Sequence, residues 1–148
     1  MNVQTLTEVE IEDLRCLAGL IIPASAKYDV PGADDDRILS DIVGSIGRDL
    51  GHVRTALGTL QALAGGSFAA LDVPRRAAAA ATLRAEGGSP VRVLTRIVML
   101  CYYRDDRVMA SLGLEARPPF PKGHLVEQGD WSLLDPVRAR TPFWRPVS

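Results

Sequence analysis

The chain has 148 residues and a formal net charge of −1, with 47% hydrophobic and 24% charged residues. That length predicts one domain, able to bury about 68–70% of its unfolded surface. No apolar run reaches the ~20 residues that cross a bilayer. No basic stripe interleaves with aromatics, so neither a membrane span nor a nucleic-acid partner is expected.

The amino-terminal MNVQTLTEVEIEDL lacks the basic and apolar regions of an export signal. It opens a helix instead. Thr7 can cap it, Glu10 stands three residues on as in a capping box, and Leu6 and Ile11 occupy staple positions. Ile11, Leu14, Leu17, Ala18 and Ile21 recur at helical spacing, and Pro23 stops the run. A loop with Pro31 and Gly32 ends in Asp34-Asp35-Asp36, acidic residues suited to a helix amino terminus. From Arg37, Ile38, Leu39, Ile42, Val43, Ile46, Leu50, Val53, Leu57 and Leu60 predict one long amphipathic helix or two stacked ones. Gly44, Gly47, Gly51 and Gly58 weaken it, or admit a close neighbouring backbone.

Gly65-Gly66 ends this stretch, and Phe68 with Leu71 forms a short apolar patch. Asp72 and Pro74 open an alanine-rich helix that Gly87-Gly88 terminates. Ser89 reads as the next cap, followed by Pro90 at the first helical position. That helix buries Val91, Leu94, Ile97, Val98 and Cys101. Tyr102 and Tyr103 sit near its end, where one ring belongs in the core and the other at the surface or in an interface hot spot. Asp105 caps a last short helix through Val108, Met109 and Leu112, ending at Gly113. No alternating β-branched window competes, so the fold is all-α: a multihelical domain over residues 1–113.

Residues 114–148 differ in kind. They hold six of the ten prolines, both tryptophans and two of the three phenylalanines. Prolines at 118, 119, 121, 136, 142 and 146 rule out a long helix or central strand, while a solvated linker would be poor in rings. An extended arm results, with a reach on the order of 100 Å. Its rings Phe120, Trp131, Phe143 and Trp144 are expected to bury on a partner or on the parent helices. Arg145, with Arg138 and Arg140, either joins that contact or forms a solvated face.

Chemistry is sparse. His52 lies off its helix's apolar stripe and reads as solvated. His124, Glu127 and Asp130 raise a metal or acid–base reading, but their spacing fits no site class. No glycine-rich loop between strand and helix cradles a phosphate, and no cysteine set suits haem or an iron–sulfur cluster. Cys16 and Cys101 read as free thiols, with pairing left to geometry. Nothing here forms an active site or binds a cofactor by itself.

Several segments in order resemble the gluconate 2-dehydrogenase subunit 3 family, small subunits of membrane-associated sugar and alcohol dehydrogenases. They are Leu6-Thr7, Leu20-Ile21-Ile22-Pro23-Ala24, the acidic loop, then Phe68, Leu71 and Arg76 before the alanine-rich helix. Tyr102-Tyr103-Arg104-Asp105-Asp106-Arg107-Val108 leading to Leu112-Gly113 completes the set, over roughly residues 6 to 124. The resemblance implies a cofactor-free helical subunit with no catalytic residues. Its partner would be a large FAD-dependent subunit of the glucose–methanol–choline class, often beside a cytochrome c. Most relatives carry a twin-arginine export signal that this chain does not show at its start. A cytoplasmic complex and a periplasmic one exported with its partner both remain open.

The expectation is a non-catalytic small subunit that stabilises or chaperones an FAD-dependent dehydrogenase. Tyr102, Tyr103, Phe120, Trp131, Phe143, Trp144 and Arg145 would serve as contacts, and residues 114–148 would wrap the partner. The alternative is a self-contained helical interaction or regulatory domain.

Overall fold

Four of the helices begin where a side chain satisfies backbone amides that the helix leaves open. The computed structural model describes residues 6–118, 120, 122, 123 and 125–141. Helix α1, Glu8–Ile21, starts with a full capping box: Glu10 N donates to Thr7 Oγ1 at 3.2 Å, and Thr7 N donates to Glu10 Oε2 at 2.7 Å. Asp35 caps α2, Asp36–Ser45, accepting from the Arg37 and Ile38 amides. Asp72 caps α4, Val73–Glu86, with Pro74 in its first turn. Asp105 caps α6, Asp106–Ser111.

The long apolar run after Arg37 resolves into two helices. After α2 the chain passes through a 3₁₀ turn, Gly47–Asp49, and resumes as α3, Leu50–Ala64. Gly47 adopts φ 43°, which an L side chain rarely does, so the break falls there. Ile46, between the helices, stays buried and lets one apolar stripe continue across both.

Two expectations are corrected. A Cβ added at Gly44, Gly47, Gly51 or Gly58 would meet nothing within 4 Å, so these glycines admit no neighbouring backbone. The tight glycine is Gly32, where a Cβ would lie 2.3 Å from Asp34 Oδ1 and 2.9 Å from the Ala24 amide. Ser89 is also not a cap. Helix α5, Gly88–Tyr103, starts two residues earlier with Gly87 at its N-cap, and Ser89 Oγ accepts from Arg92 instead.

Helix α3 lies at the centre, packing on α5, α4 and α1, while α2 packs on α5. Its Val53, Ala56, Leu57 and Leu60 are buried at the 3-4 spacing of one helical face. They meet Leu14, Leu17 and Ala18 of α1, Ile38 and Ile42 of α2, Leu83 of α4, and Leu94 and Val98 of α5 in one core. Phe68, from the loop before α4, is fully enclosed and contributes about 1.5–3 kcal/mol by burial alone. Among the described residues no strand forms, only an isolated antiparallel bridge between Ser25 and Val30.

The chain divides into two units, Met1–Ala116 and Arg117–Ser148. The second is not wholly extended. Trp131–Leu134 forms a 3₁₀ turn that runs into a one-turn helix α7, Asp135–Arg138. Asp130 caps the 3₁₀ turn, accepting from the Ser132 amide at 3.0 Å and hydroxyl at 2.6 Å. Pro136 fits because its missing donor falls in the first turn of α7.

Candidate protein-interaction site

Two segments that looked separate in the sequence meet in space. The acidic loop at the start of α2 faces the junction between α5 and α6. Arg107 Nη2 donates to Asp35 Oδ1 at 2.7 Å while its Nε donates to Asp105 Oδ1 at 2.9 Å. Arg37 reaches back to Asp106 at 3.2 Å. One turn along, the Arg104 guanidinium donates to both carboxylate oxygens of Asp41 and to the Ser45 hydroxyl. On the far side of the loop, Arg15 holds Asp36 at 2.7 Å and the Asp34 carbonyl at 3.0 Å. Arg107 holds the Asp35 and Asp105 carboxyls below their ordinary values, and Arg104 does the same for Asp41. This seam ties α2 to α1 and to the junction of α5 and α6, and each of its arginines meets a carboxylate.

A second polar cluster lies inside the core. Asp13 of α1 is fully buried. Its carboxylate accepts from Gln61 Nε2 at 2.7 Å, Ser67 Oγ at 3.0 Å and the Ala69 amide at 2.8 Å. It thereby pins α1 to α3 and to the loop that inserts Phe68. Nearby, Arg76 donates to the Leu71 carbonyl at 2.8 Å and to Cys16 Sγ at 3.4 Å. Burial pushes the Cys16 and Cys101 thiols up, and both cysteines are free.

The expected contact residues separate into four groups. Tyr102 is buried, its hydroxyl donating to the Pro31 carbonyl at 3.2 Å, so its ring belongs to the core. Tyr103 stands 51% exposed with its ring edge-on to Tyr102 at 5.2 Å. Phe120 and Trp131 belong to the second unit and are exposed, with Trp131 Nε1 donating to Gln128 Oε1 at 3.2 Å. Phe143, Trp144 and Arg145 lie outside the described residues, as does His124. His52 is exposed on α3. Among the described residues no group of three histidine, cysteine or carboxylate side chains could hold a metal ion.

Sequence reasoning missed a groove on the helical domain. Helices α4 and α5 both pack on α3 rather than closely on each other, and the space between them is open. Small side chains, Ala77, Ala80 and Ala81, form one wall, with Val91 and Thr95 opposite and Ala56 and Leu17 below. The space is about 420 Å³ and mainly apolar. A depression of about 520 Å³ continues past Arg84 and Val91 to Met99 and Leu100, which are 44% and 58% exposed. Arg84, Arg92 and Arg96 border it. The available signal was charge asymmetry: residues 1–72 carry five basic against eleven acidic side chains, residues 73–148 twelve against seven.

The fold and these surfaces define an all-helical protein with a paired arginine–aspartate seam and an exposed apolar groove. No protein-family model, curated protein or solved structure matches the chain. No helix among the described residues is long and apolar enough to cross a membrane.

Proposed function

We propose that this chain is a non-catalytic small subunit of an FAD-dependent dehydrogenase acting on sugars, glycosides or other alcohols. It would bind and stabilise the catalytic flavoprotein, which carries the FAD; a cytochrome c is a further candidate component. The observation that carries the reading is the state of the second unit. Phe120, Leu125, Val126, Trp131 and Leu133 are each 61% exposed or more, in a segment whose backbone turns are nonetheless capped. Side chains of this size are ordinarily buried, and each ring or aliphatic group would gain about 1.5–3 kcal/mol on being covered. An apolar set this large on one segment is typical of interaction surfaces.

The segments that carry the family resemblance support it in a second way. Leu20-Ile21-Ile22-Pro23 is the end of α1, and Tyr102 to Arg107 is half of the arginine–aspartate seam.

The test is co-expression with the flavoprotein encoded in a neighbouring reading frame. The two chains should co-purify, and ending this chain at Gly113 should abolish the association. A monodisperse lone chain whose tryptophan emission is already blue-shifted, and unchanged when flavoprotein is added, would assign the protein to the self-contained class instead.

A further inference from the structure

The groove between α4 and α5 has the chemistry of a second docking site, on the helical domain itself. Three features point to its occupant. One wall is lined by Ala77, Ala80 and Ala81 and the remainder mainly by larger aliphatic side chains, so the apolar space between α4 and α5 is open to side chains from outside. Its border is cationic: Arg84, Arg92 and Arg96 line it, and among the described residues no carboxylate does. And these border charges are under-neutralised. Among the described residues no carboxylate pairs with Arg84, and Arg92 meets only the Ser89 hydroxyl, while Arg96 alone is paired, to Asp49 at 2.8 Å. The seam, by contrast, neutralises each of its arginines.

We infer that this groove receives an apolar helical segment of a partner protein flanked by carboxylates. Its aliphatic side chains would enter between α4 and α5, and its acidic residues would pair with Arg84 and Arg92. The concave shape favours a protein ridge over a lipid surface, which a protruding amphipathic helix would suit better. The missing aromatics and the apolar floor argue against nucleic acid, whose bases stack on rings. The inference rests on the reading of the chain as a subunit, and supplies the contact chemistry that reading lacks.

The decisive measurement uses the full chain and two synthetic helical peptides with the same leucine ridge, one flanked by glutamates and one by lysines. In fluorescence anisotropy the glutamate peptide should bind roughly tenfold more tightly, with the preference falling as salt rises. The double variant Arg84→Glu/Arg92→Glu should reverse the preference, an outcome that a misfolded protein cannot give. Filling the groove with Ala77→Trp should weaken both peptides, with the helical circular dichroism unchanged. Equal binding of both peptides, or binding untouched by all three substitutions, overturns the inference. So does tighter, Arg84-dependent binding to anionic vesicles or a short DNA duplex, or self-association lost in the double variant, which would make a second copy the occupant. If the flavoprotein co-purifies while the peptides fail, the groove assignment falls and the subunit reading stands. If the peptides behave as expected but no flavoprotein associates, the reverse holds.

Discussion

The seam and the groove both present arginines next to helix ends, yet they are opposite in character. At the seam, Arg104 and Arg107 each meet a carboxylate at hydrogen-bond distance, and one of the acceptors, Asp105, has a side chain only 4% exposed. At the groove, Arg84 has no carboxylate partner among the described residues, and the apolar side chains around it stay open to solvent. Charge density is therefore a poor guide to a binding surface. What distinguishes the two is whether the fold completes its own pairs: a completed pair holds helices together, and an incomplete one is available to something else.

The comparison is sharpest where completion is total. Asp13 is buried with three donors, and no surface group can take its place. Asp13→Ala should leave Gln61, Ser67 and the Ala69 amide without their acceptor in an apolar setting, costing about 3 kcal/mol or more. For a domain of this size that lowers the melting temperature by on the order of 10 °C. A thermal melt followed by circular dichroism measures it. A loss below about 1 kcal/mol would show that water reaches the site and that Asp13 does not pin the Phe68 loop.

The seam should give a smaller effect with a recognisable pH signature. Arg107→Ala removes the partner of both Asp35 and Asp105, and partial exposure of the guanidinium limits the cost to about 1–2 kcal/mol near neutral pH. The sign of the pH dependence follows from the lowered carboxyl values. Asp35, Asp41 and Asp105 contribute stability that is fully present above the ordinary carboxylate value near 4 and is lost as pH falls through their lower folded values. The gap between the native protein and Arg107→Ala should therefore be constant from pH 7 to about 5 and close below about 4. Urea titrations at several pH values would show it, and a gap independent of pH would refute the pairing.

How far these features could be read from the sequence depended on their range. Caps are local, so Thr7 with Glu10, Asp72 and Asp105 were legible from spacing alone. So was the division of labour between Tyr102 and Tyr103: Tyr102 follows buried Val98 by four positions, whereas Tyr103 follows exposed Met99 by four. The break at Gly47 was only half legible: composition located the weak point, but one helix and two share the same apolar spacing. The seam was invisible, since Asp35 and Arg107 are 72 positions apart and the acidic run already had a local explanation at a helix start. Asp13 was overlooked among Glu8, Glu10 and Glu12, although it lies one turn before Leu17 on the buried stripe. The groove was hidden for another reason. Alanine is neutral in a hydropathy pattern, so Ala77, Ala80 and Ala81 announce a helix but not the space left beside it.

The smallest expected effect closes the comparison from the groove side. If Arg84 and Arg92 take no part in completing the fold, then Arg84→Ala and Arg92→Ala, singly or together, should change the unfolding free energy by less than about 0.5 kcal/mol. The corresponding seam substitution costs several times that. The same two variants should leave the acid limb of the stability profile unchanged, because no depressed carboxyl depends on either guanidinium. A destabilisation of Arg84→Ala comparable to that of Arg107→Ala would mean that its aliphatic stem, rather than its charge, packs across the groove. The position would then belong with the framework, and the contrast between a completed and an open set of arginines would dissolve. Near-equality with the native protein, alongside loss of the glutamate-flanked peptide, would instead separate folding from binding on a single pair of helices.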